Sequence, residues 1–336
     1  MITKRKIETI DTKAMFKVYD SWPEIARKSF NTQIPKINLN EINHFIFAGM
    51  GGSGTIGDIF ASIFSKTNVH VTVVKGYNLP KTIDSKTLVI ITSVSGNTSE
   101  TINILESVKK LKINSISFSS GGKVEIFCKK NNLKFIKIKK NHSPRASLVS
   151  YLFTMLKIFQ DIIPLSKEEI LESINEIQSI KENISSGNLT ETNLSLELAN
   201  KIKNTPVIHY PWGLQSVAIR FKNSLQENSK MHAMVEDIIE TSHNGIVPWD
   251  YKSDFIPILI QGKNDFIKTK ERWVIIKKFF NKNKINFLEI NSPSGNILTK
   301  IISLIYILDY CSIYLSILLK IDPSPVEAIK FIKKNL

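Results

Sequence analysis

The sequence predicts an α/β protein of two similar subdomains, each a mostly parallel sheet flanked by helices. Three observations predict it. Short β-rich runs alternate with helical stretches along nearly all of the 336 residues, the pattern of a parallel sheet covered on both faces. The alternation pauses over a polar stretch near the middle and then resumes. Finally, the halves share a rhythm: Phe135–Ile138 is followed by NHSPRAS and a long apolar helix, Phe287–Ile290 by NSPSGN and another, as two similar units would produce.

The elements follow in order. Thr12 to Phe30 reads as an amphipathic lead-in helix. Strands are expected at His44–Ala48, His70–Val74, Thr87–Thr92, Ser115–Phe118 and Lys134–Ile138, each a short run rich in β-formers. Helices fill Ile56–Ser65, Glu100–Leu111, Lys123–Asn131 and Ala146–Ile163 between and after them. Ser166 to Lys203 is polar, charged and helical in flavour, broken at Gly187-Asn188, and reads as a connector rather than a core. The expected division is therefore 1–165, a connector 166–203, and 204–336. Beyond the connector come strands at Val207–Tyr210, Phe255–Gln261 and Asn286–Ile290. Helices are expected near Ala218–His232 and Lys270–Asn281, with an apolar helix from Leu298.

Length allows two compact domains, and 42% hydrophobic with 22% charged residues is ordinary for a soluble globular chain. The net charge of +15 comes from lysines spread along the whole sequence. No basic cluster carries interleaved aromatics and no helix-turn-helix or zinc-finger spacing occurs, so nucleic acid is not an expected partner. A positive field would still draw in a phosphorylated substrate. Cys128 and Cys311 are too few for a disulfide framework, which points to a reducing, cytoplasmic setting. The opening MITKRKIETIDTK lacks the apolar core of a signal peptide. Ile301 to Leu319 has the length of a membrane span, but Asp309 sits at its centre and Ser303, Ser312 and Ser316 punctuate it. A carboxylate at mid-bilayer is costly, so this reads as a helix buried all round in a protein core, with no membrane partner.

The first chemical signal is FIFAGMGGSGTIGDIF, Phe45 to Phe60, a G-x-G-x-x-G after a strand and before a helix. A dinucleotide site would add an acidic residue about 20 residues on, to hold the ribose hydroxyls. There the chain reads HVTVVKGYN, with Lys75 and no carboxylate. That argues against NAD and leaves a smaller phosphate, or a tight turn without a ligand. The second signal is VIITSVSGNTSET, Val89 to Thr101, where Ser93, Ser95 and Thr98 gather around Gly96 at the start of a helix. Backbone N–H groups at a helix N-terminus favour an anion, and hydroxyls add donors without a fixed counter-charge. One such hydroxyl would be an ordinary cap; three beside a second Gly-Ser loop exceed what capping requires.

AGMGGSGTIGD, TSVSGNTSET and SFSSGG resemble the sugar isomerase (SIS) domain. The chain as a whole is similar to the bifunctional phosphoglucose/phosphomannose isomerases, which carry two such domains. The likeness runs on through SPRASLVSYLF, RFKNSLQENSK, SHNGIVPW, SLIYILDYCSIYLSILLKIDPSPVEAI and IKFIKKNL. It implies an aldose–ketose isomerase that interconverts glucose 6-phosphate and fructose 6-phosphate, and acts on mannose 6-phosphate, by ring opening and a cis-enediol(ate). Such chemistry needs a phosphate anchor, a ring-opening group, a base and an enediolate stabiliser, with no redox cofactor and no metal.

The resemblance places Gly52, Ser53, Ser93, Ser95 and Thr98 on the substrate phosphate. It makes Glu227, in QENSK, the base; nothing in composition singles it out among 30 acidic residues. His243, in SHNG, becomes the ring-opening histidine, reaching its site from the partner of a homodimer. Arg145 becomes the enediolate stabiliser: a surface arginine opening a helix would oppose the dipole, whereas a permanent planar cation suits an enediolate. Lys333, flanked by Lys330 and Lys334, is the lysine that assists ring opening. Two loops depart from the family pattern, QENSK for NENAK and SHNG for NHNE. Gly245 thus stands where an acid is usual, which implies a looser loop around His243. The alternative within the same resemblance is a non-catalytic SIS sensor that only binds phosphosugar. It would need none of Glu227, Arg145 and His243, and such sensors usually carry a DNA-binding head.

Overall fold

The computed structural model describes residues 2–34 and 41–335. The chain forms two compact units, Ser21–Ile174 and a second that joins Met1–Asp20 to Asn175–Leu336. The first twenty residues, read with the N-terminal half from sequence, thus group with the C-terminal half. They hold two short helices, α1 (Lys4–Ile10) and α2 (Met15–Asp20).

The unit Ser21–Ile174 opens with α3 (Trp22–Phe30) and continues as β1 (His44–Ala48), α4 (Gly52–Phe64), β2 (His70–Val74), β3 (Thr87–Ser93), α5 (Ser99–Leu111), β4 (Ser115–Ser119), α6 (Gly122–Lys130), β5 (Lys134–Lys137) and α7 (Leu148–Ile158). All strand pairs are parallel and the order is β2-β1-β3-β4-β5. HFIFA and TLVIITS are buried at every residue, because central parallel strands are covered on both faces. One face packs Ile46, Ala48, Val89 and Ile91 against Ile104, Leu105 and Val108 of α5 and Val124 of α6. On the other, Phe47 stacks on Phe60 of α4 at 4.8 Å between ring centroids, and Phe159 meets both edge-on. Gly57 lets α4 come this close, since a Cβ there would lie 2.7 Å from Phe47 Cβ.

The second unit continues with α8 (Lys167–Ile184), which begins just before the division, α9 (Leu194–Lys201), β6 (Thr205–Tyr210), α10 (Gln215–Ser224), β7 (Met234–Asp237), the one-turn α11 (Ile238–Glu240), β8 (Phe255–Gln261), α12 (Ile267–Lys282), β9 (Leu288–Asn291), α13 (Ile297–Leu318) and α14 (Glu327–Lys334). Its sheet is also parallel, in the order β7-β6-β8-β9. Both sheets therefore wind from their first strand outward in the same sense, which is the shared rhythm seen in sequence.

The core of this unit is α13. It is long and apolar enough to cross a membrane, yet 94% of that stretch is buried inside the protein. Tyr306 Oη donates to Tyr19 O at 2.8 Å, and Ser195 Oγ on α9 donates to Ile307 O at 2.7 Å. These contacts correct the connector reading of 166–203. Ile177, Ile184, Leu196 and Ala199 are buried, so the polar stretch supplies one wall around α13. They also show why α1 and α2 belong here: the apolar helix needs cover on every side.

Candidate active site

In a sheet of order 2-1-3-4-5, a crevice opens between the first and third strands, where the chain winds away in opposite directions. Register puts Ala48 of β1 beside Ile91 of β3, so the loops that leave these strands are neighbours. A Cβ on Gly49 would lie 3.0 Å from both Thr92 O and Ser53 Cβ. Gly51, the N-cap of α4, has φ 54° and ψ −126°, a conformation only glycine adopts readily, with open space where a Cβ would be. Gly52 and Ser53 form the first turn of α4, and Ser53 is buried.

Across the crevice, Ser93 ends β3 and Thr98 is the N-cap of α5. Thr98 does not cap that helix; its hydroxyl lies 3.0 Å from Ser93 Oγ instead. Ser93 Oγ also accepts from Gly96 N at 3.1 Å, and Ser95 Oγ from Asn97 N at 3.3 Å. The capping explanation of these hydroxyls therefore fails at the position where it was strongest. The turn is held from behind by SFSSGG: Ser120 Oγ donates to Val94 O at 2.7 Å, and Val124 N to Gly96 O at 3.0 Å. Gly96 has φ 70°, and a Cβ there would run into Gly121 O, so this close approach admits no other residue. Gly52, Ser53, Ser93, Ser95 and Thr98 are thus brought together. Ser120 is a support that reading the hydroxyls alone did not find, although SFSSGG signalled it, while Ser119 Oγ fixes the glycine behind it by donating to Gly121 O at 2.8 Å.

Lys75 follows β2, at the place where a ribose-binding acid would stand. Its Nζ lies 2.6 Å from Asp58 Oδ2 on α4. Burial raises the Asp58 carboxyl, and the Lys75 ammonium pulls it partly back. A lysine stem also lies across the first turn of α4, with Lys75 Cε 3.1 Å from where a Gly54 Cβ would be. A cation here offers nothing to accept hydrogen bonds from a ribose. Arg145 opens a 3-10 turn, Arg145–Ser147, beyond the edge strand β5, and only 3% of it is exposed. It is not a surface arginine.

Glu227, His243 and Lys333 belong to the second unit. Two of them sit on π-helical turns, Leu225–Ser229 for Glu227 and Thr241–Gly245 for His243. Such turns are rare and concentrate at functional sites. The first extends α10, where sequence periodicity predicts an unbroken helix to His232. Its half-buried Glu227 is followed by two residues bolted to α13: Asn228 Nδ2 donates to Ser312 Oγ at 2.9 Å, and Ser229 Oγ to Ser312 O at 2.7 Å. The second turn follows β7, and its His243 is exposed. The Glu236 carboxylate occupies the place where a Gly245 Cβ would be. A residue with a side chain at 245 would have to displace that carboxylate, so Glu236 of β7 lies where the acid usual at this position would begin. Lys333 is exposed on α14, whereas Lys330 pairs with Glu327 at 2.6 Å.

His209, inside β6 and fully buried, anchors the start of the His243 turn. Its Nδ1 is 3.0 Å from Thr241 Oγ1, whose own proton goes to Asp237 O at 2.8 Å. The ring proton is therefore on Nδ1, and the buried Nε2 has no hydrogen-bond partner among the described residues. Burial lowers the His209 pKa from 6.5 to about 4. A depressed folded pKa means the unfolded chain takes up the proton first. The stability contributed by neutral His209 is full above pH 6.5 and is lost as pH falls towards 4, by about 3 kcal/mol in all. Urea unfolding of the wild type should lose more free energy across that window than unfolding of His209→Gln; equal losses would show that His209 does not titrate this way.

The comparisons with known proteins agree with the two-sheet fold. The SIS domain matches residues 38–159, and the bacterial phospho-glucose isomerase C-terminal SIS domain matches residues 191–336. A bifunctional phosphoglucose/phosphomannose isomerase of Caldicellulosiruptor bescii is 30% identical over 96% of this chain and 98% of its own length. One of Aquifex aeolicus is 28% identical over 94% of each. A hypothetical protein of Thermus thermophilus, of known structure, superposes with a TM-score of 0.74 at 13% identity, covering 98% of this chain and 92% of that one, which is a likeness of fold. The chain belongs to the family of bifunctional phosphoglucose/phosphomannose isomerases, with two SIS domains.

Proposed function

We propose that the protein is an aldose–ketose isomerase that interconverts glucose 6-phosphate and fructose 6-phosphate and also acts on mannose 6-phosphate. The observation that carries this reading is the hydroxyl cluster at the crevice of the first sheet, which is built like an anion cradle and not consumed in capping. Gly52, Ser53, Ser93, Ser95 and Thr98 hold the substrate phosphate with donors that form no permanent ion pair, so product can leave. His243 and Lys333 act on the ring oxygen and O1 to open the sugar. Glu227 takes the proton from C2 and returns it at C1, and Arg145 stabilises the enediolate oxygen with a charge that does not titrate.

The same reading makes the working form a cytoplasmic homodimer with His243 contributed across the interface, which the exposure of His243 on its turn supports. The test is a coupled assay that converts fructose 6-phosphate to glucose 6-phosphate, run with and without chelator. Turnover that persists in chelator is expected. Folded protein that does not turn over would sink the isomerase reading, and phosphosugar binding without turnover would leave a sensor.

A further inference from the structure

We propose that Lys230 is a positioning residue of the isomerase site, strapping the turn that presents Glu227 to the root of the helix that carries Lys333. The proposal rests on the reading of Glu227 and Lys333 given above. Lys230 closes the π-helical turn with φ 57° and ψ 28°. That left-handed conformation is common to Lys112, Lys284 and Lys320 as well, so what sets Lys230 apart is the set of groups its side chain holds.

Those groups are carbonyls. Nζ donates to the main-chain oxygen of Glu227 itself, to Pro325 O at 2.7 Å and, more weakly, to Pro323 O at 3.4 Å. An ammonium has three N–H groups, and three carbonyls surround this one. Pro325 immediately precedes Val326, the N-cap of α14. No residue of α14 is buried, so within one chain the helix with Lys333 owes its place to how its root is held and not to packing along its length. One lysine thus joins the peptide of the base to the start of the ring-opening helix, across 93 and 95 residues of sequence.

An ordinary role competes with this one. A lysine at a helix C-terminus satisfies the last carbonyls and suits the dipole. That role calls for the Glu227 carbonyl alone and leaves the two proline carbonyls unexplained. Glu227 and Lys333 must meet opposite ends of the same small reaction, so a loose link between them would misplace one against the other.

The test compares Lys230→Met and Lys230→Arg with wild type in two measurements. In the first, amide hydrogen exchange is followed in residues 227–231 and 326–330. A strap predicts that Lys230→Met speeds exchange several-fold in both segments, and that Lys230→Arg recovers much of the protection. Faster exchange in 227–231 alone would reduce Lys230 to a helix cap, and no change would remove it from either role; each overturns the proposal. In the second, Lys230→Met is expected to lower kcat by about 100-fold with KM for fructose 6-phosphate unchanged, with partial recovery in Lys230→Arg. A raised KM at unchanged kcat would mean that Lys230 binds substrate directly, which also overturns the proposal. The exchange arm does not depend on turnover. A wild-type protein without activity would therefore sink the isomerase reading while exchange still decides the strap.

Discussion

Glu227→Gln is expected to lower kcat by about 10²- to 10⁴-fold, the usual worth of a positioned general base, while phosphosugar affinity stays near that of wild type. The amide keeps the shape of the carboxylate but cannot take a proton from C2. The fold should tolerate it, because the turn is fixed through its neighbours: Asn228 and Ser229 are both held on Ser312 of α13. Substrate affinity should survive because the proposed phosphate cradle lies on other elements, the loops after β1 and β3. Exchange of the C2 proton with deuterated solvent reads the step directly and should vanish with turnover. A variant that exchanges and turns over like wild type would place the base elsewhere. A variant that instead loses binding would mean that Glu227 holds the sugar and does not move its proton.

How much of this was legible in the sequence depended on burial. HFIFA and TLVIITS announce central strands because both faces of each are covered, and the apolar runs Phe45–Ala48 and Leu88–Ile91 are unbroken. Met234–Asp237 did not announce itself. MVED is a partly exposed edge strand of four residues, so nothing forces it to be apolar and no period shows in so short a run. Asp309 correctly spoke against a membrane span, but its partner could not be read: Arg220 lies 89 residues away, and pairing of that kind is a property of the fold. The π-helical turns under Glu227 and His243 were invisible for another reason. An i→i+5 turn adds one residue to a helical pattern, and a single slip cannot be told from irregular periodicity. The hydroxyl cluster was legible as chemistry, since Ser and Thr beside glycines say donor and close approach. That Thr98 bonds Ser93 in place of its own helix took coordinates to see. That the Glu236 carboxylate lies where a Gly245 side chain would begin also took coordinates to see.

Asp309→Ala is expected to be the most damaging single change in the second unit, costing about 3–5 kcal/mol because it strands a buried charge. Asp309 is fully buried at the middle of α13, and Arg220 on α10 is 1% exposed. The guanidinium donates to the carboxylate through Nη2 at 2.6 Å and Nε at 3.1 Å, and Ser224 Oγ adds a third donor at 2.5 Å. Burial by itself would push the Arg220 pKa down, but Asp309 first, then Tyr19 and Glu227, pull it up, and the net direction is up. A guanidinium keeps its proton in proteins even without a partner, so the loss cannot be softened by giving up a proton. A typical domain has only about 5–15 kcal/mol to lose, so guanidinium unfolding should show the midpoint fall sharply. The double variant Arg220→Met/Asp309→Leu separates the two explanations of such a fall. If the cost is the stranded cation, replacing both partners by apolar side chains of similar size should restore most of the stability. If Asp309 matters through Ser224 and the packing of α10 on α13, the double variant should stay as unstable as the single one. The first outcome is expected, because a polar pair sealed among Tyr19, Ser224 and the apolar wall of α13 is held together by what each charge would suffer alone.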